Sequence, residues 1–183
     1  EIVNKPSYKV TFPAKLELTV PDENLTEDLP EKININIIYS SDVYIVIDKN
    51  AGMVVHPGAG NKSGTLLNAL LHQYPELKKL PRAGIVHRLD KDTSGLMVVA
   101  RNESAMQSLS EQISDRSIKR IYQAFTVGRI ERSGKIEAPI GRHPKNRQKQ
   151  AIIESGREAI SHFKVLENFG SYSHLEVSLE TGR

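Results

Sequence analysis

Cysteine is absent from all 183 residues, which excludes disulfides and thiolate metal sites and suits a reducing, cytoplasmic setting. No apolar run approaches the about 18 residues that span a membrane, and no secretory leader pattern is recognisable. Charge of one sign is also scarce. The formal net charge is only +3, so any case for a nucleic-acid partner has to rest on local basic clusters. The histidines at His56, His72, His87, His143, His162 and His174 show neither H-x-H nor H-x-x-x-H spacing. No metal site is expected from them. Internal repeats and low-complexity tracts are missing as well.

What is present is a globular composition, 38% hydrophobic and 26% charged, long enough for one domain or one domain and a piece of another. Residues 1–20 carry short β-branched runs, with Leu16, Leu18 and Val20 alternating. Residues 21–32 are acidic and bounded by prolines, and are expected to form a linker. From Ile33 onward, alternating segments predict strands at "INIIYS", "DVYIVIDK", "IKRIYQAFTVG", "KIEAPIG", "AIIES", "EAISHFKVLE" and "YSHLEVSLE". Helical spacing predicts helices at Thr65–Tyr74 and Asn102–Asp115, capped by Thr65 and Asn102. The fold class expected is α+β: a mostly antiparallel mixed sheet with flanking helices. The chain opens on Glu1 and stops at Arg183, just after a well-patterned strand, so a truncated chain is expected.

Several motifs nearly form. "GAGNKSG" lacks the G-x-x-x-x-G-K-[ST] spacing of a phosphate-cradling loop. "HRLDKD" differs by one residue from the kinase H-R-D loop and has no D-F-G partner. Ser94 lacks a nucleophile elbow, so Thr93 and Ser94 are expected to tie down their turn through their hydroxyls. The stretch "AGIVHRLDKDTSGLMVVAR", Ala83–Arg101, is more unusual. It predicts two apolar strands, and the gap between them holds far more charge than a hairpin requires. Asp90 sits at the mouth of the first strand, Ile85–Leu89. On pattern alone a turn-capping aspartate and a catalytic carboxylate both fit there. Asp92 is expected to be solvated. The loop with Arg142, His143, Lys145, Arg147 and Lys149 is the strongest basic cluster, either a solvated loop or an arm that contacts phosphates.

"HRLDKDTSG", His87–Gly95, resembles the H-R-L-D-x-x-T/S-S/T-G motif of the RluA-type pseudouridine synthases. "IDKNAGMVVHPG" resembles the first motif of that family, "KRIYQAFTVG" the strand carrying its tyrosine, and "LETGR" the start of its last motif. The likeness runs from about Ile33 to the end, and "HPGAG", "PRAGIVHRLDKDTSGLMVVA" and "RHP" look most like the RluD-type branch, which acts on large-subunit ribosomal RNA. The first residues resemble the tail of an S4-type RNA-binding domain. Asn50 departs from the family by replacing a proline, and the last motif, which normally continues into T-H-Q-I-R, breaks off at Arg183.

The resemblance implies three domain regions: an S4-like tail (1–20), a linker (21–32) and a catalytic domain (33–183). It implies conversion of a flipped-out uridine in RNA to its C-glycoside isomer, without cofactor or metal, by a cytoplasmic monomer. Asp90 is implied as nucleophile. Attack at C1′, addition to the uracil ring and abstraction of a ribose proton all remain open for it. Such a site needs Asp90 anionic in an otherwise apolar pocket, with Arg183 as ion-pair partner. Tyr122 would stack on the flipped base, and Arg88 would fill the space the base vacates. His87, Thr93, Arg142, His143, Lys145 and Arg147 are the further RNA-binding residues expected. Two other readings share parts of this pattern. A non-catalytic RNA-binding module needs neither Asp90 nor Tyr122. A nucleoside hydrolase would release free uracil.

Overall fold

The computed structural model describes residues 9, 28–58, 60–146 and 149–181. The S4-like tail lies almost wholly outside the described residues, as do Arg147 and Arg183. The elements follow in the order β1 (Asn36–Ser40), β2 (Tyr44–Lys49), α1 (Leu66–Gln73), two 3₁₀ turns (Pro75–Lys79 and Pro81–Gly84), β3 (Gly95–Ala100), α2 (Glu103–Ser114), β4 (Ile121–Val127), β5 (Gly134–Glu137), β6 (Ile140–Arg142), β7 (Gln150–Ile152), β8 (Ile160–Phe169) and β9 (Tyr172–Leu179). The class is α+β, and every strand pairing is antiparallel. The extensive sheet expected from the sequence is divided among three, ordered β1-β2-β3, β4-β9-β8-β5 and β6-β7.

The core forms where α1 covers the first sheet. Ile45 and Ile47 of β2, Met97 and Val99 of β3, and Leu66, Leu67, Leu70 and Leu71 of α1 are all buried in one cluster. Each such side chain contributes about 1.5–3 kcal/mol on burial. Thr65 caps α1 as the sequence predicts, in a reciprocal arrangement with Asn68. Asn68 also reaches outward, its Nδ2 donating to Leu29 O at 2.8 Å, while Gly64 N–H donates to Glu31 at 2.9 Å. Residues of the expected linker are thus pinned along α1. Asn102 caps α2 through Ala105 N–H at 2.8 Å.

The predicted strand over Ile85–Leu89 does not form. Ile85 makes a single bridge to Val99, and beyond it the chain is irregular. The physical reason is His87. Its Nε2 accepts the Val98 N–H at 3.0 Å, so a side chain occupies the β3 edge that a backbone carbonyl would need for pairing. The approach to β3 is also abrupt. Arg82 (φ 52) and Ala83 (φ 52) are left-handed without being glycine, a cost of about 1–2 kcal/mol each. Gly84 follows at φ +75, and a Cβ there would lie 2.0 Å from the Ala100 carbonyl oxygen.

Gly84→Ala is therefore expected to lose about 3 kcal/mol, from backbone strain and a clash with a strand that is itself buried. Urea titration measures it. A variant as stable as the parent would show that the 81–84 corner moves without cost.

Candidate active site

Although it is not a strand, the segment 86–90 keeps a two-residue alternation. Leu89 enters the core and His87 is half-buried on β3, while Arg88 and Asp90 are exposed. Two inward anchors thus turn an arginine and a carboxylate out together. Asp90 is exposed. It lies at the rim of an open cleft of about 940 Å³.

That cleft gathers Arg88, Asp90, Thr93, Tyr122 and Arg142 from separate parts of the chain. Tyr122 comes from β4, whose inward residues alternate as Tyr122, Ala124 and Thr126, and it packs against the core as well as lining the cleft. The opposite wall is the β6–β7 hairpin and the turn after it. There Gly156 runs flush against the β6 backbone, where a Cβ would come within 2.7 Å of the Ile140 carbonyl carbon. Arg157 adds a cation that the sequence motifs did not single out as a site residue, and Arg120, from the "KRIYQAFTVG" stretch, adds another. Arg157 is fixed by exchanging both backbone hydrogen bonds with Ile140, each at 2.9 Å. Asp90 is the one acidic residue in a lining with four arginines.

The other expected contacts are placed differently. His87 borders a neighbouring cleft, its Nε2 already committed to β3. His143 organises its own loop, with Nδ1 accepting the N–H groups of Lys145 and Asn146 at 3.1 and 3.0 Å. Neither His143 nor Lys145 lines the Asp90 cleft.

The turn carrying Asp90 is not tied by the Thr93 and Ser94 hydroxyls. Thr93 N–H donates to Asp90 O at 3.2 Å, and the fastening comes from below, from Lys49. Lys49 continues the core face of Ile45 and Ile47 along β2 and is only 2% exposed. Its ammonium donates to three carbonyls: Asn50 and Met53 at 3.0 Å and Lys91 at 3.1 Å. Lys91 O also accepts Gly52 N–H at 2.8 Å. The 50–53 loop and the 90–93 turn are thereby joined. Burial pushes the Lys49 ammonium below its ordinary range, and the negative charges of Asp92 and then Asp90 act against that shift. The signal was visible in the sequence, since Lys49 stands in phase with Ile45 and Ile47, four and two residues before it.

Among the described residues no group of His, Asp or Glu could hold a metal ion, and no helix is long and apolar enough to cross a membrane.

Residues 43–183 match the family described as RNA pseudouridylate synthase. The chain belongs to that family. It is 50% identical over 181 residues to the ribosomal large subunit pseudouridine synthase D of Pseudomonas aeruginosa, covering 99% of this chain and 57% of the relative. It is 44% identical over 183 residues to the protein of the same name from Pasteurella multocida, covering 100% and 56%. The chain thus spans about half the length of these curated relatives. Among solved structures, human RNA Pseudouridylate Synthase Domain Containing 1 superposes with a TM-score of 0.64 at 25% identity, covering 82% of this chain and 61% of that one. Human RNA Pseudouridylate Synthase Domain Containing 4, at 0.60 and 23%, shows the same fold.

Two outcomes follow from the fastening. Lys49→Met keeps the stem's volume but strips three converging carbonyls of a charged donor, and is expected to cost about 2–4 kcal/mol. Denaturant titration reads the loss, and a neutral result would remove Lys49 as the clasp. The second concerns His87. Burial, followed by the charge of Arg120, pushes its imidazole below the ordinary value, and Nε2 must stay unprotonated to accept from Val98. The unfolded chain therefore binds this proton first, and stability should fall as pH drops from about 6.5 toward the folded value. His56, also lowered, contributes in the same window. His87→Gln should flatten part of this loss, and an unchanged pH profile of the melting temperature would contradict the assignment.

Proposed function

We propose that this protein isomerises uridine to pseudouridine in RNA, with large-subunit ribosomal RNA as substrate. The observation that carries the reading is the convergence of Asp90, Arg88, Thr93 and Tyr122 on one arginine-rich cleft in a chain of the pseudouridylate synthase family. The ribosomal substrate is taken from the names of relatives up to 50% identical.

A uridine in a stem is flipped into the cleft. Asp90 acts as nucleophile. The N1–C1′ bond breaks, the uracil turns, C5 bonds to C1′, and the C5 proton is released as N1 takes one up, so the product is an isomer. Tyr122 supplies an aromatic face for the displaced ring, and its hydroxyl assists loss of the C5 proton. Arg88, held outward beside Asp90, enters the space the base leaves. Arg120, Arg142 and Arg157 neutralise the flanking phosphates, which Arg and phosphate geometry favours. Thr93 shapes the rim, and His87 acts chiefly by fixing Arg88. His143, Lys145 and Arg147 place a basic hairpin against the strand, and Arg183 pairs with Asp90. The first twenty residues supply an S4-type RNA-binding tail and residues 21–32 a linker to it. The enzyme works as a cytoplasmic monomer without cofactor or metal.

The test is chemical mapping of pseudouridine in a large-subunit ribosomal RNA transcript and in precursor particles. New pseudouridine that vanishes in Asp90→Asn, with RNA affinity within about two-fold of the parent, is expected. Tyr122→Phe should retain stacking and turn over more slowly. An active Asp90→Asn variant would sink the nucleophile role. Free uracil would point to a hydrolase, and RNA bound without any product in either substrate would point to a non-catalytic module.

A further inference from the structure

A second cleft, of about 810 Å³, lies on the other side of Arg88. His56, Lys62 and Arg82 line it together with Arg88, and Asp28 is its one acidic wall residue. Asp90 and Tyr122 do not border it, so the isomerisation as described makes no use of it.

This wall is held in place by specific backbone features. Lys62 follows a tight turn in which Gly58 and Asn61 exchange both backbone hydrogen bonds, at 2.8 and 3.0 Å. Gly60 takes the left-handed conformation that the turn needs, φ 87. Arg82 stands on the left-handed corner before Gly84. Non-glycine residues persist in such a conformation only where their surroundings over-determine it, and they gather at ligand sites. Arg88 is turned outward between two inward anchors, His87 and Leu89.

Among the described residues the cations of this wall face one acid, Asp28. Elsewhere on the molecule arginines meet acids, Arg101 with Glu76 and Arg129 with Glu131. Among the described residues no carboxylate forms an ion pair with Lys62, Arg82 or Arg88. The field is felt at His56, where burial, then Arg82 and Arg88, push the imidazole below its ordinary value against the opposing pull of Asp28. Among the described residues His56 Nε2 is buried and finds no hydrogen-bond partner, a rare condition for a buried polar atom. An anion with several acceptor oxygens can meet more than one of these cations at once. The Arg82 guanidinium and the Lys62 ammonium neutralise it.

We infer that this cleft binds a phosphodiester group of the RNA strand beside the nucleotide held at Asp90, with Lys62 and Arg82 as its cationic contacts and His56 in the wall behind them. The inference rests on the RNA reading of the Asp90 cleft. One side chain, Arg88, separates the two clefts, so a continuous strand can lay a base in one and its neighbouring phosphate in the other. Cations in both clefts then fix the strand from either side of the vacated stack.

The test is RNA affinity as a function of salt, measured in an Asp90→Asn background so that only binding is read. Lys62→Gln and Arg82→Gln should each weaken binding several-fold at low salt. Each should flatten the log–log salt slope by about one, and the double variant by about two. An unchanged slope and affinity in the double variant overturn the subsite, while pseudouridine formation by the unmodified protein reports separately on the reading of the Asp90 cleft. Should Arg82→Gln fail to fold, Lys62→Gln on its exposed turn carries the same test. Inorganic phosphate is the second probe, followed by the ring resonances of His56. A shift in the unmodified protein that Lys62→Gln abolishes supports an anion site. The same shift with an unaltered RNA salt slope would assign the cleft to free phosphate and overturn the phosphodiester assignment. No shift together with no slope change overturns the site altogether.

Discussion

The site depends on one buried ammonium. Lys49 ends a strand whose preceding inward residues are isoleucines, and it carries a charge into the same apolar layer. An unpaired ammonium there would be prohibitively costly. It is tolerated because three carbonyls converge on it and two carboxylates stand in the turn above it. Those carbonyls belong to loops that are far apart in sequence, so satisfying one cation dictates where the 50–53 loop and the 90–93 turn must lie. Asp90 gains its position from a bond it does not itself make. A leucine at position 49 would suit the core equally well and would leave the turn that carries Asp90 unfastened.

The same economy governs the segment leading into that turn. Regular pairing of residues 85–89 with β3 would give a smoother sheet, but pairing would tie up the backbone without leaving room for two clefts. Instead, Ile85 bridges once, His87 replaces a backbone acceptor with an imidazole, and Leu89 drops into the core. The segment is held at alternate residues, and the residues between them, Arg88 and Asp90, are presented outward. The strained corner at Arg82 and Ala83 and the close contact of Gly84 with Ala100 bring the chain to β3 at the angle this requires.

Much of this was legible in the sequence, and the failures share a cause. Strand alternation and helix caps gave β1, β2, β4, β8, β9, α1 and α2 near their observed bounds, because these depend on local periodicity and on capping chemistry. The Asp90 and Tyr122 assignments came from a motif and a resemblance, and the two residues do share a cleft. What periodicity could not reveal were interactions in which one group stands in for another. A histidine nitrogen took the place of a strand partner, a lysine did the work expected of two hydroxyls, and His143 folded its own loop before it could face a ligand. The division of the strands into three sheets was equally hidden, since the pattern marks which residues alternate and says nothing of which edges meet.

The modest net charge of +3 looks at first like an argument against a polyanionic substrate. It is a poor one, because a phosphate senses only charges within roughly one Debye length, about 8–10 Å at physiological salt. Acids and bases are unevenly distributed at that scale. Glu76, Glu131, Glu137 and Glu180 are spent on basic partners away from the clefts. The Asp90 cleft sets four arginines against one carboxylate, and the neighbouring cleft sets three cations and two histidines against Asp28. Pairing acids elsewhere, rather than adding lysines everywhere, gives a strongly cationic surface to the face that would meet RNA while the rest of the molecule stays nearly neutral. It also leaves Asp90 as the one carboxylate among the arginines that line its cleft, so a polyanion drawn to those cations would meet a single opposing charge there.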